Sequence, residues 1–238
     1  MTVSISKEPA RIAGMFDRIA RRYDALNHLL SAGLDKRWRR RAVRELRLDE
    51  SVNVLDVCTG TADLAIEALR SLGPSGYVVG VDFSSAMLAI GHEKVRRAGL
   101  ASRLQLVRGD ATKLPLRDQS FGVAMVAFGI RNVADMDAGL RELHRVLQPG
   151  GRLAILEFGM PEVPGLAWLY RSYFRHILPR IGRLVSRHSE AYAYLPASVA
   201  EFPAGDAFVA TLGPAGFSSV RVVRMAVGAV YLYLAERD

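Results

Sequence analysis

Between Val52 and Phe158 the chain repeats one pattern: a short continuous apolar run, a turn of small or polar residues, then an amphipathic segment of helical length. Val52–Val57, Tyr77–Val81, Leu104–Arg108, Val123–Phe128 and Leu153–Phe158 read as strands, and Ala62–Leu72, Ser84–Ala98 and Met136–Leu147 as helices. Strands that are apolar along their whole length are buried on both faces, so helices must cover both sides of a parallel sheet. This predicts an α/β fold with a doubly wound, mostly parallel sheet of Rossmann-like type. "GPSG" at 73–76 and "QPGG" at 148–151 carry the residues that tolerate turns.

The flanks break the pattern. Ile12, Met15, Phe16 and Ile19 recur at helical spacing, and helical character runs from Pro9 to Leu48 with an interruption at Asn27–Gly33. After Glu162 no clear strand occurs until beyond Pro203, and two or three aromatic, basic helices are expected. A helix near Asp206–Leu212 and a "PAGF" turn precede strands at Ser219–Met225 and Val230–Ala235. The turn between these strands, around Val227–Gly228, is too short for a crossover, so they must pair antiparallel. The expected organisation is one domain: a helical cap over 1–50, an α/β core over 51–161, a helical insertion over 162–203 that faces the acceptor and the membrane, and a final helix and hairpin over 204–238.

The 238 residues suffice for one large core. The longest apolar stretches, Gly122–Ile130 and Ala226–Ala235, fall short of the ~18 residues of a membrane span. The first residues, "MTVSISKEPARIAGMF", lack a signal-like apolar core, which predicts a cytoplasmic protein. Cys58 is the one cysteine, so neither an internal disulfide nor a cysteine metal cluster can form, and it reads as a small buried thiol. The five histidines show no metal-like spacing, and no metal is expected. A net charge of +8 attracts nucleic acid, anionic lipid and acidic substrates alike. It concentrates in Asp35–Arg47 and in the arginines from Arg171 to Arg187, which interleave with Trp168, Tyr170, Tyr173, Phe174, Ile177 and Leu178. Both clusters read as solvated helix faces, and the second, with its interleaved aromatic and aliphatic residues, also suits a surface that meets a bilayer headgroup layer.

The turn after the first strand, "DVCTGTAD" at Asp56–Asp63, is where a doubly wound sheet holds its ligand. A dinucleotide fingerprint needs three spaced glycines to approach a pyrophosphate. Here Gly60 stands alone between Thr59 and Thr61, with Asp56 and Asp63 to repel phosphate. The second strand ends in Asp82, placed to accept both hydroxyls of a ribose. The third leads to Asp110 and Ala111, which can meet an adenine edge, and the fourth ends near Ala127. Carboxylates at three successive strand ends make an anionic pocket, suited to a sulfonium and an ammonium rather than to phosphates. The expected cofactor is S-adenosylmethionine, bound by Asp56, Gly60, Thr61, Asp82, Asp110, Ala111 and Ala127 in a class I methyltransferase fold.

Three blocks make the resemblance more specific. "FDRIARRYDALNHLLSAGLDKRWRR" (16–40), "FGIRNVAD" (128–135) and "RVLQPGGRLAILEF" (145–158) resemble signatures of the ubiquinone/menaquinone-biosynthesis C-methyltransferase family. Tyr23, Asp24, Asn27, Ser31, Gly33 and Trp38 match the first, and "LPRIGRLVS…YAYLPASV" fits the family's C-terminal third. The chain departs from the family at Leu26 (usually Met), Asp35 (usually His), Ala62 (usually Gly) and Gly159 (usually Ser).

The resemblance implies C-methylation of a polyprenylated quinol, with demethylmenaquinol going to menaquinol. Arg131 would then stabilise the quinol oxyanion, while Asn132 and Tyr23 orient the ring or a water that takes the proton. His28 is the histidine to test as a base. Partners implied are the quinol and, through its tail, the inner face of the cell membrane as a peripheral site. Nucleic acid is not expected, and a homo-oligomer stays open. Rival readings are another small-molecule or RNA methyltransferase of the same fold and a donor-binding paralogue without transfer activity.

Overall fold

The computed structural model describes residues 8–49, 52–161 and 189–238, together with Val163, Gly165, Trp168 and Ser172. Among the described residues seven strands form one sheet: β1 (Asn53–Val57), β2 (Tyr77–Asp82), β3 (Leu104–Arg108), β4 (Phe121–Ala127), β5 (Leu147–Phe158), β6 (Phe217–Met225) and β7 (Val230–Arg237). Their order is β3-β2-β1-β4-β5-β7-β6, parallel from β3 to β5, with β7 antiparallel to both of its neighbours. The expected fold and hairpin are therefore present, and the hairpin inserts its second strand between β5 and β6.

Among the described residues the helices are α1 (Pro9–Leu30), α2 (Leu34–Leu46), α3 (Asp63–Ser71), α4 (Ser85–Arg97), α5 (Met136–Val146), α6 (Ser189–Glu201) and α7 (Asp206–Leu212). Ser84 and Asp135 cap α4 and α5, accepting from the backbone amides of Met87 (3.2 Å) and Ala138 (2.9 Å). Strand residues alternate between two cores. Val54 packs with Ala42, Val43, Leu46 and Leu69 on the α2–α3 side. Leu55 and Val57 pack with Leu140, Leu143, Phe208 and Leu212 on the α5–α7 side. A third cluster joins Ile12, Met15, Ile19 and Ala20 of α1 to Met87 of α4, which seats the cap over the C-terminal ends of the strands.

"QPGG" differs from expectation. It lies inside β5, where the register against β4 jumps from Phe121↔Leu147 to Val123↔Arg152. The extra residues bulge out, and Gly150, at φ 71°, supplies the left-handed conformation that the bulge needs. β4 ends one residue earlier than expected, because Phe128 adopts φ 57° and turns the chain out of the sheet. Most of the basic aromatic run at 166–188 lies outside the described residues. Trp168 within it is exposed. No helix among the described residues is long and apolar enough to cross a membrane.

Candidate active site

β1 lies between β2 and β4, and the connections from β1 and β4 leave in opposite directions, which opens a crevice at the C-terminal ends of these strands. The turn after β1 is unusually contorted. Cys58, Gly60 and Ala62 all have positive φ (57°, 55° and 67°). A side chain at Gly60 would point into open space, so the backbone is bare where it faces the crevice. Ala62 tolerates its conformation at some cost. Its methyl is fully buried and 3.5 Å from a Cβ position at Gly91, so it tightens the core and not the ligand side. At the neighbouring crossing, a Cβ on Gly129 would stand 2.3 Å from that of Cys58, and only glycine lets the two turns touch.

Asp82, 6 % exposed, closes the turn. Its Oδ2 accepts from the Gly60 amide (2.8 Å) and its Oδ1 from the Ser84 amide (2.9 Å). Burial pushes its carboxyl up to about 6 against the pull of these amides. Each oxygen retains acceptor capacity, as a vicinal diol requires. Asp110 is exposed, and its Oδ1 accepts from the amide and the hydroxyl of Thr112, both at 2.8 Å. Gly60, Asp82, Asp110, Ala111 and Ala127 all line one cavity, whose further walls are Phe16, Tyr23, Phe83, Met87 and Phe128.

Two sequence candidates stand behind that wall. Asp56 shares the strand face of Val54, so it turns toward α3, where Oδ2 accepts from Thr59 Oγ1 (2.6 Å) and the Ala65 amide (3.1 Å). Its Oδ1 is buried without a partner, and burial raises the group to about 7. Thr61 is also buried. Its hydroxyl donates to Asp24 Oδ1 (2.6 Å) and accepts from Lys94 (3.1 Å), tying the turn to α1 and α4.

On the α1 side of the cavity, Tyr23 is half-buried against Phe16, with ring centroids 5.9 Å apart. Burial raises its phenol pKa, although a hydrogen bond from Asn27 and the charge of Arg131 both act to lower it. Asn132 lines the cavity, and its Oδ1 accepts from Tyr194 Oη at 3.0 Å. Arg131 is not in the wall. Its Nη1 donates to the Phe128 carbonyl and to Glu157 Oε1, both at 2.6 Å, and its Nε donates to Ser198 Oγ at 3.3 Å. The guanidinium also lies 5.4 Å from the Phe158 ring centroid. Glu157 is wholly buried; desolvation raises its carboxyl and Arg131 opposes this.

His28 lies away from the cavity, with Nδ1 2.7 Å from Asp35 Oδ2. Asp35, where the family usually has histidine, is a buried junction for His28, Ser31 and Arg39, whose combined pull overcomes burial and holds its carboxyl low. At Gly159, a Cβ would sit 2.4 Å from the Tyr231 ring, so the serine usual there would not fit this packing. Glu157, Tyr194 and Ser198 are not among the residues the sequence singles out. A lone acid inside the apolar strand "AILEF" is a signal for the first, whereas the other two lie in the family-like run "YAYLPASV", which marks the segment but not their partners. The Cys58 thiol lines the cavity, and burial raises its pKa well above the ordinary value, so it stays protonated. Among the described residues no group of acids, histidines and cysteine gathers as a metal site.

The fold and this crevice define a class I S-adenosylmethionine-dependent methyltransferase architecture. Solved structures agree at the level of fold. An S-adenosylmethionine-dependent methyltransferase of Thermotoga maritima, described as a possible histamine N-methyltransferase, matches with a TM-score of 0.67 at 18 % identity, over 95 % of this chain and 100 % of that one. The [4+2]-cyclase SpnF matches at 0.70 and 17 %, over 98 % and 97 %, so the fold does not fix the reaction. The chain belongs to the ubiE/COQ5 methyltransferase family, whose model matches residues 3–237. It is similar to the ubiquinone/menaquinone biosynthesis C-methyltransferase of Geobacter sp. strain M21, 43 % identical over 98 % of this chain and 99 % of that protein. It is also similar to the demethylmenaquinone methyltransferase of Bacteroides fragilis, 39 % identical over 97 % and 94 %.

Proposed function

We propose that this enzyme methylates a ring carbon of a polyprenylated quinol, with demethylmenaquinol as acceptor and menaquinol as product. The observation that carries this reading is one cavity in which a carboxylate suited to a ribose faces apolar and aromatic walls suited to a flat ring. It does so in a chain whose relatives are named for this chemistry.

When bound, S-adenosylmethionine supplies an electrophilic methyl group on a sulfonium. Asp82 would accept the ribose hydroxyls, the bare turn at Gly60 would admit the methionine portion, and Asp110, Ala111 and Ala127 would wall the adenine. Two carboxylates on the cavity favour a cationic donor. Asp56 and Thr61 would serve by shaping the turn, one through Thr59 and Ala65, the other through Asp24 and Lys94.

The acceptor carbon becomes nucleophilic when an adjacent hydroxyl loses its proton, so the protein must stabilise an oxyanion and hold the ring in line. Tyr23, kept as a neutral phenol by burial, is a donor and not a base near neutral pH. It would orient the ring hydroxyl with Asn132. The Arg131 charge, felt at the Tyr23 phenol, would stabilise the oxyanion from just behind the wall. The acceptor's isoprenoid tail cannot remain free in water, which makes a peripheral stay at the membrane part of the proposal.

Labelled S-adenosylmethionine would be supplied with short-tailed demethylmenaquinol, its oxidised quinone, and a benzoquinol analogue. Label in the naphthoquinol alone is expected. Label in the benzoquinol instead would move the acceptor to the ubiquinone type. Transfer to none of them, with donor binding intact, would replace this reading with that of a donor-binding paralogue.

A further inference from the structure

Five large apolar side chains are exposed among the described residues, and two of them, Leu29 (56 %) and Leu34 (37 %), flank the same turn at Ser31–Gly33 between α1 and α2. On α2 this apolar tip runs directly into a cationic face. Lys36, Arg37, Arg40, Arg41, Arg44 and Arg47 are all exposed, while Asp35, Arg39, Ala42, Val43 and Leu46 are turned inward. Arg41 pairs with Glu45. Lys36, Arg37, Arg40 and Arg44 make no ion pair with any described residue.

Lys36 with Arg40, Arg37 with Arg41, and Arg40 with Arg44 are like-charge pairs four residues apart, an arrangement that destabilises a helix. Glu45 offsets that repulsion at Arg41, but no described acid pairs with Lys36, Arg37, Arg40 or Arg44, so this part of the face is matched to an anionic partner outside the fold. Two partners carry dense negative charge: a nucleic-acid backbone and a membrane of anionic lipid. Leu29 and Leu34 decide between them. A phosphate backbone would leave both in water, and the tip offers no aromatic ring on which a base could stack. A bilayer takes the leucines into its interface and the arginines at its headgroups together.

We propose that the α1–α2 turn, with the outer face of α2, is the surface by which this enzyme docks on an anionic phospholipid membrane. This deepens the quinol reading and rests on it for its purpose. Tyr23, on the cavity wall, and Leu29 belong to the same helix, six residues apart, or about 9 Å along its axis. Docking at the tip would hold the cavity within an isoprenoid's reach of the acyl layer.

The test is co-sedimentation of the full chain with vesicles of phosphatidylcholine, with and without phosphatidylglycerol, in the absence of donor and acceptor. Binding to the anionic vesicles alone is expected. The paired change Leu29→Asp and Leu34→Asp should abolish it without shifting the melting transition, while Leu29→Phe with Leu34→Phe should retain it. Replacing Arg37, Arg40 and Arg44 by glutamine should weaken binding by about 100-fold, from about fivefold per cation. Unchanged binding of the aspartate variant, or equal binding to neutral vesicles, would overturn the proposal. So would tighter binding to single-stranded RNA that ignores both leucines. Because no methyl is transferred in this experiment, docking without activity would count against the acceptor assignment and not against the surface.

Discussion

Asp82 combines two demands that oppose each other. Its carboxylate must be charged to hold the amides of Gly60 and Ser84 strongly, yet it is almost wholly removed from water, and that burial lifts it to about 6. The group is ionised above that value and protonated below it, and a neutral carboxyl is a poorer acceptor for a diol. Donor affinity is therefore expected to fall as pH drops through about 6, measured by titration calorimetry between pH 5 and 8 (about one unit or more on each side of the transition). Asp82→Asn should bind more weakly by roughly tenfold and show no inflection there; a parent whose affinity is flat across this range would contradict the assignment. Asp82 could be read from the sequence because it ends an apolar strand at a fixed distance beyond the glycine turn. Asp56, one residue before the end of β1, lies behind the cavity wall. Its register partner is Gly80, so Asp56 and Asp82 share one face of the sheet, but Asp56 lies two positions deeper, where α3 covers it.

At the scale of elements, the short turn Ile130–Asn132 is held from three directions. β5 supplies Glu157, the end of β4 supplies the Phe128 carbonyl, and α6 supplies Ser198 to Arg131 and Tyr194 to Asn132. Residues 62 to 67 positions apart in sequence thus fix the two groups proposed to act on the ring hydroxyl and its oxyanion. Arg131→Ala would leave Glu157 buried without a cation and is expected to cost about 3–5 kcal/mol of stability. Arg131→Met combined with Glu157→Leu should recover most of that in urea unfolding, while methyl transfer stays low in both variants and donor affinity holds. Near-normal turnover in Arg131→Ala would remove the arginine from the mechanism. The sequence shows Arg131 and Asn132 as a polar pair after an apolar strand, but the latch from α6 has no local signature, because it is made only when the chain returns.

For the molecule as a whole, the late strands matter more than their position in the chain suggests. β7 pairs with β5 along Arg152–Phe158 and separates it from β6, and Val230, Leu232 and Leu234 face one core while Tyr231 and Tyr233 face the other. A chain ending at Gly228 would open both cores and leave the edge of β5 unpaired, a template for aggregation. Loss of soluble protein and of a cooperative melting transition is expected, and a truncated chain that melted like the parent would show that β7 is an accessory. From sequence alone, local physics determines the strands, the helices, the antiparallel hairpin and the glycine turn, because hydrophobic period and turn chemistry act over a few residues. Tertiary structure alone decides that β7 enters between β5 and β6, that Asp35 becomes a buried junction, and that Arg131 is committed to Glu157. Each of these depends on burial and on partners distant in sequence, and such contacts have no energy to report until the chain has closed on itself.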